Sequence, residues 1–192
     1  MKKYRYLRVS EDRFEKPFVS RSLYPRLWLG GFVATLVMTL WVYVTPLLGL
    51  PNVDFAGILG SYLAGQPSIM FSGSWWAGMV WHFLNGTLLF PLIYAYWIYP
   101  VFNRDNSSVS IVDGFPYHSV LRGEAWGLIL FAFSQMVAMP LAGGGIFSTK
   151  TLEPALVLIG CVIGHLIYGA TFGALTASQK QTVLELRHNR AA

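Results

Sequence analysis

The chain has 192 residues, of which 54% are hydrophobic and 12% charged, with a formal net charge of +5 and a mean hydropathy of +0.48. This is more apolar than water-soluble domains normally are. Eight of the fourteen basic residues lie within the first 26 positions, which is typical of a membrane flank and not of a nucleic-acid surface.

Four long windows contain no Asp, Glu, Lys or Arg, namely 27–53, 55–103, 125–149 and 154–179. A helix needs roughly 20 mostly apolar residues to cross about 30 Å of hydrocarbon. Each window fits at least one such helix. The sequence therefore predicts an all-α membrane protein with four transmembrane helices.

The N-terminal segment 1–26 is predicted to be a basic and aromatic arm on the cytoplasmic side, where basic residues accumulate. It could anchor on anionic lipid headgroups or pack on a partner protein. The transmembrane domain is predicted over 27–179 and a cytoplasmic tail over 180–192. An even number of spans then places both termini inside the cell.

The four spans are predicted in chain order, with signals at their ends. Proline and glycine terminate the first and third spans, and aromatic residues mark both ends of the second. The apolar connection 52–73 is broken by Gly and Pro, so we expect an interfacial or re-entrant segment on the outer face. The predicted spans are 27–48, 74–99, 123–141 and 154–178.

The two halves of the chain look alike. The first and third spans end in a Pro–Gly stop, and the second and fourth each carry a histidine four residues before a glycine, His82 with Gly86 and His165 with Gly169. Two spans per half give both halves the same orientation. The sequence thus predicts a parallel repeat of two helix pairs, related by an axis near the membrane normal.

The two histidines are the candidate functional residues. Intramembrane ionisable side chains are costly, and they usually face the bundle interior. Counted from the predicted helix starts, His82 and His165 lie roughly 12 and 16 Å deep. Gly78 and Gly86 flank His82 at a spacing of four, and small residues flank His165 in the same way, so each histidine lies in a stripe that permits close helix packing or leaves a slot for a flat ligand.

Several chemistries fit this pattern. Each histidine could form a structural hydrogen bond across the helices. Alternatively, His82 and His165 could be the two axial ligands of a haem b iron, with Gly86 and Gly169 making room for the porphyrin. A third alternative is a metal site formed by His82, His165 and Cys161. A fourth is a binding site for a quinone or another lipid-like ligand. The expected partner in such a hydrogen bond is a backbone carbonyl or a polar side chain such as that of Asn85, Ser134, Gln135 or Tyr168.

The sequence contains none of the phosphate-loop, dinucleotide-binding, zinc-protease or nucleophile-elbow motifs that nominate a catalytic centre. Asp54 and Glu153 lie at the outer boundary, one in each half, where they could line an entrance to a site. The lone Cys161 excludes an intrachain disulfide.

The chain resembles a family of small four-helix bacterial and archaeal membrane proteins known only as a domain of unknown function. The residues that carry the resemblance are Gly31, Met38, the run Pro46-Leu47-Leu48-Gly49, His82, Gly86, Phe147-Ser148 and the stretch from His165 to Gly173. It covers roughly 27–177. The resemblance implies the four-helix fold and brings no activity or cofactor.

The expected function is that of a non-catalytic integral subunit of a larger membrane complex, of the respiratory or electron-transfer kind. The alternatives are a small b-type cytochrome with haem between the second and fourth spans, and a channel or transporter for a small solute. The expected partners are the lipid bilayer and other membrane subunits, in the cytoplasmic membrane of a bacterium or archaeon.

Overall fold

The computed structural model describes residues 24–99 and 117–176, and within these ranges the chain forms helices and connecting loops without strands. Four helices are long and apolar enough to cross a membrane, Tyr24–Leu48, Gly73–Ile98, Ser119–Leu141 and Pro154–Thr176. The all-α class and the four candidate spans are therefore confirmed. The repeat, the orientation and the re-entrant segment stay predictions.

We number the helices α1 to α5, with α2 as the short helix between the first two spans. α1 is Tyr24–Val44 with a 3-10 turn at Thr45–Leu48, α2 is Phe55–Ala64, α3 is the span Gly73–Ile98, α4 begins at Tyr117 and ends at Leu141, and α5 is Pro154–Thr176. α2 has ten residues and is about 15 Å long, too short to span a bilayer.

Two predicted boundaries move outward. α1 begins at Tyr24, because Pro25 fits the first turn of a helix, where its missing N–H leaves no bond unmade. The third span begins at Ser119 rather than 123, since the helix continues through Arg122 and Glu124. The rest of the predicted arm, the connection 100–116 and the predicted tail lie outside the described residues.

Helix α5 is central to the bundle. It packs against α1 on one side and α4 on the other, while α3 packs against α1 and α2. The spatial order is therefore α3, α1, α5, α4. The main core lies among the four spans. Its buried residues are Leu27, Ala34, Met38, Tyr94, Ala95, Trp126, Leu130, Tyr168 and Phe172.

Glycines bring α4 and α5 into backbone contact. A Cβ on Gly169 would collide with the carbonyl oxygen of Gly123, and one on Gly127 would collide with that of His165. Small residues let transmembrane backbones approach closely, which is the source of much of their packing energy. Gly78 performs the same function between α2 and α3, against Ala56.

Proline shapes the interior of the spans. Three π-helical turns, at Asn85–Leu89, Tyr94–Ile98 and Ser134–Ala138, each end two residues before a proline in the sequence. Proline has no N–H and its ring clashes with the carbonyl four residues earlier. The N–H just before it then reaches back five residues, as from Phe90 to the Asn85 oxygen. Such turns shift the side chains that follow and are frequent at functional sites.

Candidate functional site in the bundle interior

A cavity of about 400 Å³ lies inside the bundle, between α3 and α4 and beneath α2. Drug-sized ligands usually occupy pockets of ~300–1,000 Å³ that are mostly apolar with a few placed polar groups. Both predicted histidines line it, and so does Gly86. The polar lining residues are Thr35, Tyr62, His82, Asn85, Ser134, Gln135, His165 and Tyr168.

His165 is held by its own helix. Its Nδ1 donates a hydrogen bond to the Cys161 carbonyl oxygen at 2.8 Å, and the side chain is 6% exposed. The Phe131 ring meets the imidazole edge to face, with centroids 5.8 Å apart. Since Nδ1 carries the proton in this bond, a neutral ring leaves Nε2 as a bare acceptor beside the cavity.

His82 is held in place by contacts with two other helices, α1 and α2. Its Nε2 lies 3.1 Å from the Thr39 hydroxyl on α1, and the Phe55 ring of α2 stacks on the imidazole with centroids 5.7 Å apart. The Thr39 hydroxyl also lies 2.7 Å from the Thr35 carbonyl, which can only accept. Thr39 therefore donates to Thr35 and accepts from His82, so Nε2 of His82 carries the proton.

His165 bonds a backbone carbonyl, but one of its own helix, and none of the four side chains named from the sequence bonds either histidine. Tyr168 instead donates to the Gly86 carbonyl at 2.9 Å, which joins α5 to α3. Gln135 accepts a hydrogen bond from Ser148 at 2.7 Å, with both side chains buried. Asn85 lines the cavity beside His82.

Gly169 does not line the cavity. Its Cα hydrogens face the backbone of Gly123 and Glu124 on α4, so no open slot exists there. The stripe around His165 thus acts in helix packing rather than in ligand contact. Gly86 is itself packed against Thr35, although it borders the cavity.

The arrangement does not fit a bis-histidine haem. A porphyrin needs an open slot between α3 and α5 and a free nitrogen on each ring directed at its iron. Tyr168 bridges these two helices by its hydrogen bond to the Gly86 carbonyl, so the slot that a porphyrin would need is not open there. Within 24–99 and 117–176, no three His, Cys, Asp or Glu side chains cluster as metal ligands.

A wider cleft of about 960 Å³ adjoins the cavity at the α2 end of the bundle. Asp54 and Glu153, which the sequence suggested as entrance residues, both line it. Asp54 is also structural, because it accepts bonds from the Gly57 N–H and the Trp75 indole. The residues shared with the inner cavity are Ile58, Tyr62, Met139, Leu141 and Ala142.

The opposite end is closed by aromatic side chains. Tyr94 on α3 lies 6.0 Å from Trp126 on α4 between ring centroids, and Phe90 lies 6.5 Å from Phe133. The cavity therefore faces the cleft and not the end where α1 begins.

Sequence reasoning missed the contribution of α1 and α2 to the site. Thr35 and Thr39 are spaced by four in the charge-free part of α1, a pattern that places both on one face and could have been noticed. Phe55 gives no such signal, because its stacking on His82 depends on how α2 folds back over α3.

Comparison with protein-family models, curated proteins and solved structures found no significant match to this chain. The resemblance to a family of unknown function stays a prediction, and the functional argument depends on the geometry of the cavity.

Proposed function

We propose that this protein is a non-catalytic integral membrane protein that binds one lipophilic ligand, with a hydrogen-bonding ring of the quinone type as its head group. The observation that carries the proposal is the shared cavity. His82 and His165, on different spans, both line it, and each has a ring nitrogen without a partner among the described residues.

The lining of the cavity supports a lipid-soluble occupant. Most of its surface is aliphatic or aromatic, with Trp81, Phe90 and Phe133 among the rings, and none of its lining residues is charged. A ligand partitioned in the bilayer reaches such a site through apolar surroundings, and a few polar groups fix its orientation. The adjoining cleft offers a path from the α2 end.

Filling the cavity tests this function. Ala138→Phe adds a ring to a lining position, whereas Leu128→Phe on the same helix changes an exposed position outside the lining. We expect mass spectrometry of the purified protein to find about one lipophilic ring compound per chain in the wild type and in Leu128→Phe, and little in Ala138→Phe. Equal ligand content in the two variants would contradict the proposal.

A second proposal is that the chain serves as a subunit of a larger membrane complex. The connections at the α2 end expose large apolar side chains outside the four spans, such as Ile69 at 78% and Phe71 at 65% exposure, with Leu152 fully exposed. Exposed apolar surface of this kind is typical of protein or membrane contacts.

A photo-crosslinking residue at Leu152 tests the subunit role in native membranes. We expect a discrete protein adduct there, while the same group at Leu40, which is exposed within the first span, should label lipid. Lipid adducts alone at both positions would count against a partner subunit.

A further inference from the structure

The hydrogen-bond polarity of the cavity restricts which head group it can hold. His165 presents Nε2 as an acceptor, because its Nδ1 proton is donated to the Cys161 carbonyl. Nε2 is an acceptor as long as the imidazole of His165 is neutral. No carboxylate lines the cavity, so an imidazolium there would be an unpaired charge in a medium of low dielectric constant.

His82 presents the same polarity through its other nitrogen. Its Nε2 proton is donated to the Thr39 hydroxyl, whose own proton goes to the Thr35 carbonyl. Nδ1 of His82 is then a bare acceptor. Two imidazoles fixed by different elements thus offer a lone pair, and not a proton, beside one cavity.

The hydroxyl groups of the lining add acceptors as well. Thr35 donates its proton to Gly31, Ser134 donates to Phe131 and Tyr168 donates to Gly86, in each case to a backbone carbonyl at 2.7–2.9 Å. A hydroxyl whose proton is used in this way can still accept. These three side chains therefore offer the cavity only lone pairs.

Hydrogen-bond donors come from fewer of the embedded side chains than acceptors do. The amide of Asn85 offers both polarities, and that of Gln135 offers its N–H groups as donors, because its oxygen already accepts from Ser148. Trp81 and Tyr62 line the cavity with N–H and O–H groups, but they are 47% and 63% exposed and lie at its rim. The embedded part of the cavity is rich in acceptors.

We propose, building on the ligand-binding function above, that the cavity recognises the reduced hydroquinone form of its ring ligand and rejects the oxidised quinone. A hydroquinone carries two hydroxyl donors that can meet the two imidazole lone pairs. A quinone carries two carbonyl acceptors, which would leave those buried lone pairs facing other lone pairs. The aromatic lining favours a flat ring over an aliphatic head group.

The experiment compares four ligands of matched chain length on the purified full-length protein by anaerobic calorimetry. They are decylhydroquinone, its dimethyl ether, decylquinone and decane-1,2-diol. We expect the hydroquinone to bind about tenfold or more tightly than the ether or the quinone, since two hydrogen bonds are at stake. The diol should bind more weakly than the hydroquinone, because it lacks the ring.

His165→Phe tests the role of the imidazole, since it removes one acceptor and keeps a flat ring. It should weaken hydroquinone binding about tenfold and leave ether binding unchanged. Tyr43→Phe, at an exposed position outside the lining, should change neither. The ligand series on the wild type stands by itself if the His165 variant fails to fold.

The outcomes separate this inference from the function on which it depends. Equal or tighter binding of the quinone or the ether would overturn the acceptor-rich site and leave a ligand-binding protein. Equal binding of the diol would overturn the aromatic head group. Binding of none of the four compounds would overturn both the inference and the proposed function.

Discussion

The two faces of α4 pack against their neighbours in different ways. Toward α5, Gly123 and Gly127 meet the backbone of Gly169 and His165 with no space for a methyl group. Toward α3, α4 presents Phe133, whose ring leaves a cavity open on one side and meets Phe90 on the other. One face is closed by backbone contact, and the other is held apart by side chains.

The comparison shows how a ligand cavity can persist in a small apolar bundle. Lipid tails are as apolar as leucine, so helices in a membrane associate mainly by close packing. The glycine contacts fix α4 against α5. The π-helical turn Ser134–Ala138, imposed by Pro140, shifts the side chains that border the cavity.

The largest expected effect comes from adding a methyl group where the backbones of α4 and α5 are in contact. Gly169→Ala should destabilise the protein by about 1–3 kcal/mol, because the added carbon meets the Gly123 carbonyl and the helices must separate. Unfolding in mixed detergent micelles measures this change.

The matched control for that variant is Gly160→Ala on the same helix. An added methyl there has only an ordinary contact, 3.9 Å from Thr45, and alanine favours the helix over glycine by up to about 1 kcal/mol. The variant should be neutral or stabilising. Similar losses in both variants would contradict the close packing of α4 on α5.

A smaller effect is expected for the buried hydrogen bond between Ser148 and Gln135, on the face of α4 that borders the cavity. Ser148→Ala removes the only hydrogen bond from Ser148 to Gln135 and should cost about 1–2 kcal/mol, since the buried amide oxygen loses its donor. Thermal unfolding of Ser148→Ala, Gln135→Leu and the double variant measures the coupling between the two side chains. Strictly additive losses would show that the pair does not interact.

The smallest effect is expected at Thr39. Thr39→Val removes the acceptor for His82 and should cost about 0.6 kcal/mol, the average for interhelical hydrogen bonds in membranes. Thr39→Ser keeps the hydroxyl and should retain the stability of the wild type. Thermal unfolding of the two variants measures the difference, and equal stability of Thr39→Val and Thr39→Ser would argue against this hydrogen bond.

An unusual backbone conformation occurs before each of the two helices that carry a histidine. Phe71 and Phe147 both have positive φ angles, 65° and 50°, which are rare for aromatic residues. Each is followed by a serine, Ser72 or Ser148, and precedes a histidine-bearing helix. The helix pairs are nevertheless packed differently, since α1 meets α5 closely while α3 and α4 enclose the cavity.

The four spans, their proline breaks and the candidate residues His82 and His165 could be predicted from the sequence. The length of an uncharged stretch and the missing N–H of a proline are local properties of the chain. They act whether or not a helix is packed against another. The tertiary structure alone decided that Gly169 packs while Gly86 borders a cavity, and which nitrogen of each histidine is free. A span that is apolar all round has no amphipathic pattern to mark its buried face, so that choice is made only by contacts with distant helices.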